Sequence, residues 1–469
     1  MKLPHLHSEF SALPPYRLTR RDVRFFLSIM LPTLIELVLA HLFAMVDTMM
    51  LGNIPDSAPL IAAVGLTTSP VNLNINVVTS FCVGTTAAVA WFTGAGDNES
   101  ARCAARQSML LTSCAGVVVT AVSVTFADPI MRFAGANEDT LAFAVSYYRL
   151  IAAGFLIQIM TISITASLRG VGITKIPMLY NLSAAAINIL LNYLLIYGKC
   201  GFPAMGIRGA ALATTLSKIP AFLIALGMML FGRLPIGFRR GDSFRPEPVI
   251  IRRILRIGVT AGLEQVLLQF GAILSVKIVA QVPTADFAAN QIAANIDNLS
   301  WQPSCACAAA STTCMGQALG EGKPEKARAQ IRMILFTSIG FGLMLSVLFI
   351  TCGKPIAGLY TKDAALVSVA AQVLRVCAFS TPGIFVQVPI SGALRGSGDT
   401  KTPLIASFIS LWVFRVGLSY LLISVLGYGV LAARTAIVID QTVRGMTVLV
   451  RYCMGGWVRR ANRDLKTES

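Results

Sequence analysis

Five carboxylates stand inside stretches of this sequence that are otherwise apolar: Glu36, Asp47, Glu264, Asp297 and Asp440. An ionisable side chain in hydrocarbon costs several kcal/mol, so each is a candidate for function. Glu36 and Asp47 are eleven residues apart, about three helical turns, and share one helix face. Asn181, Asn188 and Asn192 form a second polar stripe at i, i+7 and i+11, and "RGAALATTLS" offers Thr214 and Thr215. A carboxylate beside amide and hydroxyl oxygens can hold a small hard cation. Partly desolvated, the same group can take a proton near neutral pH. Either event would tie ion occupancy to helix position. The plainer alternative is a set of interhelical hydrogen bonds.

Farther along, Glu264 and Asp297 could bind a cationic substrate, contribute to coupling, or neutralise Lys277 or Arg415. Asp440 and Arg444 are spaced i, i+4, which reads as a structural ion pair. Trp301, with Phe43, Met45, Phe155 and Phe385, could line a cavity for flat cations. At helical spacing the same residues serve equally as packing. Gln265 and Asn76, with Asn72 and Gln158, could add polar wall. Glu264, Asp297, Gln265, Asn76 and Trp301 are therefore the substrate-cavity candidates. The ten cysteines include "CAC" at 305–307, a spacing unsuited to a helical metal site, and the three histidines do not cluster. The cysteines read as small apolar packing residues.

The elements that carry these groups are membrane helices. Of 469 residues, 55% are hydrophobic and 13% charged, with a mean hydropathy of +0.70. Soluble domains carry about 25% charged residues. Twelve spans are read at 25–52, 67–93, 107–128, 140–166, 177–198, 208–232, 255–281, 286–317, 331–352, 365–393, 402–426 and 430–455. The first is too long for a signal-peptide core, and the alternating pattern of a membrane barrel is missing. The net charge of +17 reports topology: between spans, Lys and Arg crowd one side. The other side has only Arg132, Lys199, Arg208, Lys354 and Lys362. The positive-inside rule then puts both termini in the cytoplasm, and no nucleic acid is expected as partner.

The chain also repeats itself. "LRGVGITKIP" at 168 returns as "LRGSGDTKTP" at 394, a separation of 226. "TTAAVAWFTGAGDNESAR" at 85 returns as "TTCMGQALGEGKPEKAR" at 312, and "LIELVLAHLF" aligns with "GLEQVLLQFG", setting Glu36 opposite Glu264. Ordered repeats at one offset argue for a duplicated six-helix unit. An even number of helices gives parallel repeats, so the expected fold is an all-α integral membrane protein with twelve transmembrane helices. They form two six-helix lobes related by a pseudo-two-fold axis along the membrane normal. The plan is a cytoplasmic tail 1–24, N-lobe 25–232, linker 233–256 with seven arginines, C-lobe 257–455, and cytoplasmic tail 456–469. The LRG stretches are no phosphate loop, since G-x-x-x-x-G-K-[ST] is absent. Their glycines suit a helix end and their prolines the first turn of the next, making a connector and hinge.

At these connectors the chain resembles the multidrug and toxic compound extrusion (MATE) family of cation-coupled antiporters. "PTLIELVLAHLFAMVDTMMLG", "ANQIAANIDNLSWQP", "GQALGEGKPEKAR" and "DQTVRG" extend the resemblance over residues 25 to 460. It implies export of small organic compounds, often cationic, against H⁺ or Na⁺ by alternating access, with no other cofactor. It also implies a coupling site at Asp47, Asn188, Asn192 and Thr214, with Glu36 nearby, where Na⁺ could sit on Asp47, Asn188 and Asn192. Some members have an aspartate at Asn192, and that departure favours H⁺ over Na⁺. Span ten carries no acid, a departure from the branch with cation-binding acids in spans seven and ten. A monomer in the lipid bilayer of a bacterial inner membrane is expected. The rivals are a lipid-linked oligosaccharide flippase, disfavoured by twelve spans rather than fourteen, and a membrane enzyme acting on lipids, which lacks a D-D-x-x-D or H-x-x-x-x-D cluster. A channel fits the two-lobe duplication less well, and no nucleotide-binding domain follows to suggest an ATP-driven pump.

Overall fold

The computed structural model describes residues 13–52, 58–231, 234–239, 241–361 and 363–458. Residues 1–12 and 459–469 of the expected tails, with Arg233, Arg240 and Lys362, lie outside the described residues. Among the described residues every regular element is helical. These are α1 (Arg20–Gly52), α2 (Ala58–Gly94), α3 (Asn98–Thr125), the short α4 (Ala127–Phe133), α5 (Glu138–Ala153), α6 (Phe155–Val171) and α7 (Lys175–Tyr197). They continue as α8 (Ile207–Phe231), α9 (Pro248–Val279), α10 (Thr284–Gly320), α11 (Pro324–Gly358), α12 (Ala364–Gly396), α13 (Lys401–Ser410) and α14 (Val430–Cys453). Two π-helical segments, Leu411–Leu418 and Leu421–Val425, prolong α13.

With α4 set aside and α5 and α6 joined, these make twelve long rods. Nine helices among the described residues are long and apolar enough to cross a membrane, and α5 with α6 makes a tenth. The two rods that fall short are α10 and α14, and the cause is visible in their composition. The first holds Asp286, Asn290 and Asp297; the second holds Arg434, Asp440 and Arg444. Between α5 and α6 the axis turns by 45°. Gly154 sits at that turn, where a Cβ would come within 2.8 Å of the Thr215 methyl group.

By contacts the chain divides into two compact units, one of Ile35–Thr93 and Asp97–Gly262, the other of Met1–Leu34, Gly94–Gly96 and Leu263–Ser469. The first packs a core of small side chains, among them Ala88, Val89, Ala101, Ala104 and Ala105, around Ile164, Leu168 and Tyr180. Small residues let helix axes approach closely where lipid gives no hydrophobic drive to associate. In the second unit Ile278, Val279, Phe349, Val373, Leu374 and Ile423 form the main cluster, with Ala293 and Ala433.

Each position of the repeated connector has a task, and it is the same task twice. Leu168 and Leu394 are fully buried. Gly170 lies against α2, where a Cβ would meet the Thr86 carbonyl oxygen at 2.9 Å; Gly396 lies against α10, where one would meet that of Thr312 at 2.6 Å. Gly172 (φ +93°) and Gly398 (φ +78°) make the left-handed turn that ends the helix. Pro177 and Pro403 then fall in the first turn of α7 and α13, where no N–H partner is lost. Even a hydroxyl is duplicated: Thr86 Oγ1 donates to the Ala166 carbonyl at 3.0 Å, and Thr312 Oγ1 to that of Gly392 at 2.9 Å.

The arginine-rich linker is tied to the first unit. Asp242 accepts from the Arg239 N–H at 2.9 Å and pairs with Arg106 at 2.6 Å. Burial pushes the Asp242 carboxyl up, but these donors prevail and hold it below the ordinary carboxylate value. Gln107 Nε2 donates to the Arg245 carbonyl at 2.7 Å, and the Arg253 guanidinium lies over Trp91, 4.8 Å from the ring centre.

Candidate functional site

The polar stripe of α7 divides between the two carboxylates of α1. Asn181 Nδ2 donates to Glu36 Oε1 at 2.8 Å, while Arg169 of the connector reaches Glu36 Oε2 at 2.9 Å. Three turns away, Asn192 Nδ2 donates to Asp47 Oδ1 and also lies 3.4 Å from Asn188 Oδ1. Asn188 Nδ2 in turn lies 3.4 Å from Thr214 Oγ1. The structure thus brings Asp47, Asn192, Asn188 and Thr214 into one chain of contacts from α1 through α7 to α8. Thr215 is occupied elsewhere, donating to the Leu150 carbonyl at 2.9 Å.

Two features of this cluster bear on its chemistry. Asn192 is fully buried, and its Oδ1 has no hydrogen-bond donor. Lys218, one turn beyond Thr214 on α8, is within electrostatic range of Asp47, with no ion pair formed between them. The cluster therefore contains one carboxylate, one ammonium and a spare buried acceptor.

The second unit repeats the Glu36 arrangement. Arg395 reaches Glu264 Oε2 at 2.6 Å, and Ser407 Oγ donates to Glu264 Oε1 at 2.8 Å. Arg169 and Arg395, like Asn181 and Ser407, are 226 residues apart. Glu264 is therefore neutralised by the connector arginine, and not by Lys277 or Arg415. Asp440 and Arg444 form the expected pair, at 2.6 and 2.7 Å, with Ser410 Oγ donating to Asp440 Oδ1 at 2.7 Å. Asp297 accepts from Ser300 Oγ at 3.3 Å and faces the charge of Arg434, which Asn290 Oδ1 holds at 2.7 Å. Gln265 is half-buried, and Trp301 and Asn76 are exposed. In α2 it is Asn74, not Asn76, that makes side-chain bonds, donating to Ser123 at 3.1 Å and Tyr148 at 3.0 Å.

Lys218 and the two connector arginines were missed by spacing within single spans. The repeat offset could have found them. It pairs Thr214 with Asp440 and Lys218 with Arg444, so a base one turn after a polar anchor recurs in both halves. It likewise sets a repeated acid, Glu36 and Glu264, against a repeated base.

Comparison with known proteins agrees with the fold. The MatE family profile matches residues 32–194 and 261–421. The probable multidrug resistance protein NorM of Thermotoga maritima is 29% identical over 92% of both chains. The uncharacterized transporter YisQ of Bacillus subtilis is 24% identical over 92% of this chain and 94% of its own. Among solved structures, an outward-facing multidrug resistance MATE transporter superposes with a TM-score of 0.86 at 24% identity, covering 95% of this chain and 100% of its own. A Pyrococcus furiosus transporter of the same superfamily, described as having a binding pocket of reversed polarity, gives 0.85 at 24%, over 94% and 99%. The chain belongs to the MatE family and is a membrane transporter, not an enzyme.

Proposed function

We propose that the protein is a multidrug efflux antiporter that exports small organic compounds, often cationic, in exchange for H⁺ taken up at Asp47. The observation that carries this reading is the contact chain Asp47, Asn192, Asn188 and Thr214, with the Lys218 ammonium beside it. An intramembrane carboxylate held by amides is an exchangeable proton site. Protonated Asp47 would donate to the spare Oδ1 of Asn192 once that amide turns over. Ionised, it accepts from Nδ2 as now. Two hydrogen-bond patterns on one pair of residues give α1 two positions relative to α7 and α8, which alternating access requires.

Lys218 favours H⁺ over Na⁺. A bare cation entering the cluster would face an ammonium while a single carboxylate offsets both. Glu36 and Glu264, each closed by an arginine, serve in this reading to hold the connectors. Asp297, Gln265, Asn76 and Trp301 remain candidates for the cavity wall. The protein works as a monomer in a bacterial inner membrane, both termini cytoplasmic, with tails 1–24 and 456–469, lobes 25–232 and 257–455, and linker 233–256.

The test is reconstitution into liposomes under an imposed pH or Na⁺ gradient, following a fluorescent organic cation. Efflux driven by the pH gradient is expected from the native protein and lost from Asp47→Asn. Full pH-driven export by Asp47→Asn would sink the proposal.

A further inference from the structure

Three arginines and two aspartates meet inside the second unit: Arg415 on the π-helical continuation of α13, Arg434 and Arg444 with Asp440 on α14, and Asp297 on α10. Arg444 and Asp440 cancel at 2.6 Å, both side chains within 2% of full burial. Arg434 is held by Asn290 and balances Asp297. That leaves Arg415, near the middle of the Lys401–Val425 span. Among the described residues no hydrogen bond, ion pair or ring contact engages its guanidinium. Its Nε is cut off from solvent and has no acceptor. The two terminal nitrogens, equally without acceptors, do not share that closure, and the residue as a whole stays partly accessible.

This surplus cannot be relieved from within. A buried lysine can shed its proton and a carboxylate can gain one, but a guanidinium stays charged in any protein environment. An uncompensated arginine at mid-span is costly. Protonating Asp297 or Asp440 would only enlarge the positive excess. An incoming negative charge is the remaining remedy, and the planar fork of the side chain matches a carboxylate in a bidentate arrangement. The backbone carrying the residue is built for the purpose too: α13 leaves α-geometry at Leu411 and runs as a π-helix through Leu418. Such wide turns inside helices gather at functional sites. On the α9 side Gly271 lies against the Leu411 side chain at the start of that stretch.

The geometry points to Arg415 as an anion site for the transported compound: the preferred cargo carries a carboxylate, which seats on this guanidinium. The inference rests on the reading that the chain transports small organic compounds, and it narrows their class to carboxylate-bearing ones, zwitterions included.

Binding to the purified full-length protein decides it, separately from any gradient-driven transport. The probes are a cationic rhodamine methyl ester and the same dye as its free carboxylate, followed by fluorescence anisotropy. The native protein is expected to bind the carboxylate form more tightly. Arg415→Gln should weaken the carboxylate about tenfold or more, as one charge-assisted bidentate contact implies, and leave the ester within about twofold. Arg415→Lys, which keeps the charge and loses the fork, should fall between. A monodisperse elution profile and a native-like thermal midpoint report that Arg415→Gln is folded. If it does not fold, the native protein alone decides: benzoate should displace the carboxylate dye and spare the ester. Equal loss of both dyes in a folded variant, no loss of the carboxylate, or benzoate displacing both alike would overturn the inference. Loss of pH-driven export with this binding pattern intact would overturn the coupling proposal instead.

Discussion

Asn192 donates its Nδ2 to Asp47 while its own Oδ1, sealed from solvent, accepts nothing. One side of this amide is committed and the other is open. Replacing it by a carboxylate fills the open side with charge. Asn192→Asp would give the cluster two acids against the one lysine, and hard oxygen ligands suit Na⁺. The expected outcome is a gain of Na⁺-driven export of about tenfold in the liposome assay, the size of a 1.4 kcal/mol gain in ion affinity. An unchanged ion preference would show that charge at this position does not choose the ion.

Glu264 and Arg395 are both largely enclosed, with side-chain exposures of 2% and 17%. Removing one partner strands the other charge, a loss of about 3–5 kcal/mol, whereas removing both is far milder. Arg395→Gln is therefore expected to lower the thermal midpoint in detergent more than Arg395→Gln combined with Glu264→Gln. The reverse order would mean the arginine stabilises through its stem and not through its charge.

The connector glycines differ in kind. Gly170→Val drives a side chain into Val89 and the Thr86 carbonyl, an overpacking cost of about 1–3 kcal/mol. Gly172→Ala forces a Cβ into the left-handed region, costing about 1–2 kcal/mol. Gly65→Ala, in α2 with nothing within 4 Å, should raise stability by about 0.4–1 kcal/mol. Thermal midpoints of the three variants check the order and the change of sign.

Asp242 is held below its ordinary value of 3.8 in the folded protein. Its contribution is thus present above the unfolded value and lost as pH falls through the lower, folded one. The linker should stay docked at neutral pH and loosen only at pH below about 4. Hydrogen exchange at residues 241–247, followed between pH 3 and 6 and corrected for intrinsic rates, is expected to rise only at the acid end. Asp242→Asn should remove that pH step.

Much of the architecture was legible because it is local or repeated. Apolar runs set the rods, and the connector written twice marked where α6 and α12 end. Asp47, Asn192, Asn188 and Thr214 touch pairwise along one chain of contacts. The roles of Arg169 and Arg395 are not legible locally, because nothing in a decapeptide says that an arginine folds back 133 or 131 residues to an acid. Lys218 was hidden for a related reason: α8 alone does not reveal which of its faces meets α1. The π-helical stretch around Arg415 leaves no mark in composition, since its residues read as one more apolar run.

The beginning of α1 has a consequence for the order of synthesis. Residues through Leu34 belong with the second unit, where Gln330 Nε2 donates to Asp22 and Arg328 holds the Leu13 and Pro14 carbonyls. Asp22 and Gln330 are 308 residues apart. At ribosomal rates of about 5–20 residues per second, Asp22 waits roughly 15–60 s for Gln330 to be made. Until then the Asp22 carboxylate lacks this donor, so the start of α1 is tied to the second unit only once α11 is being made.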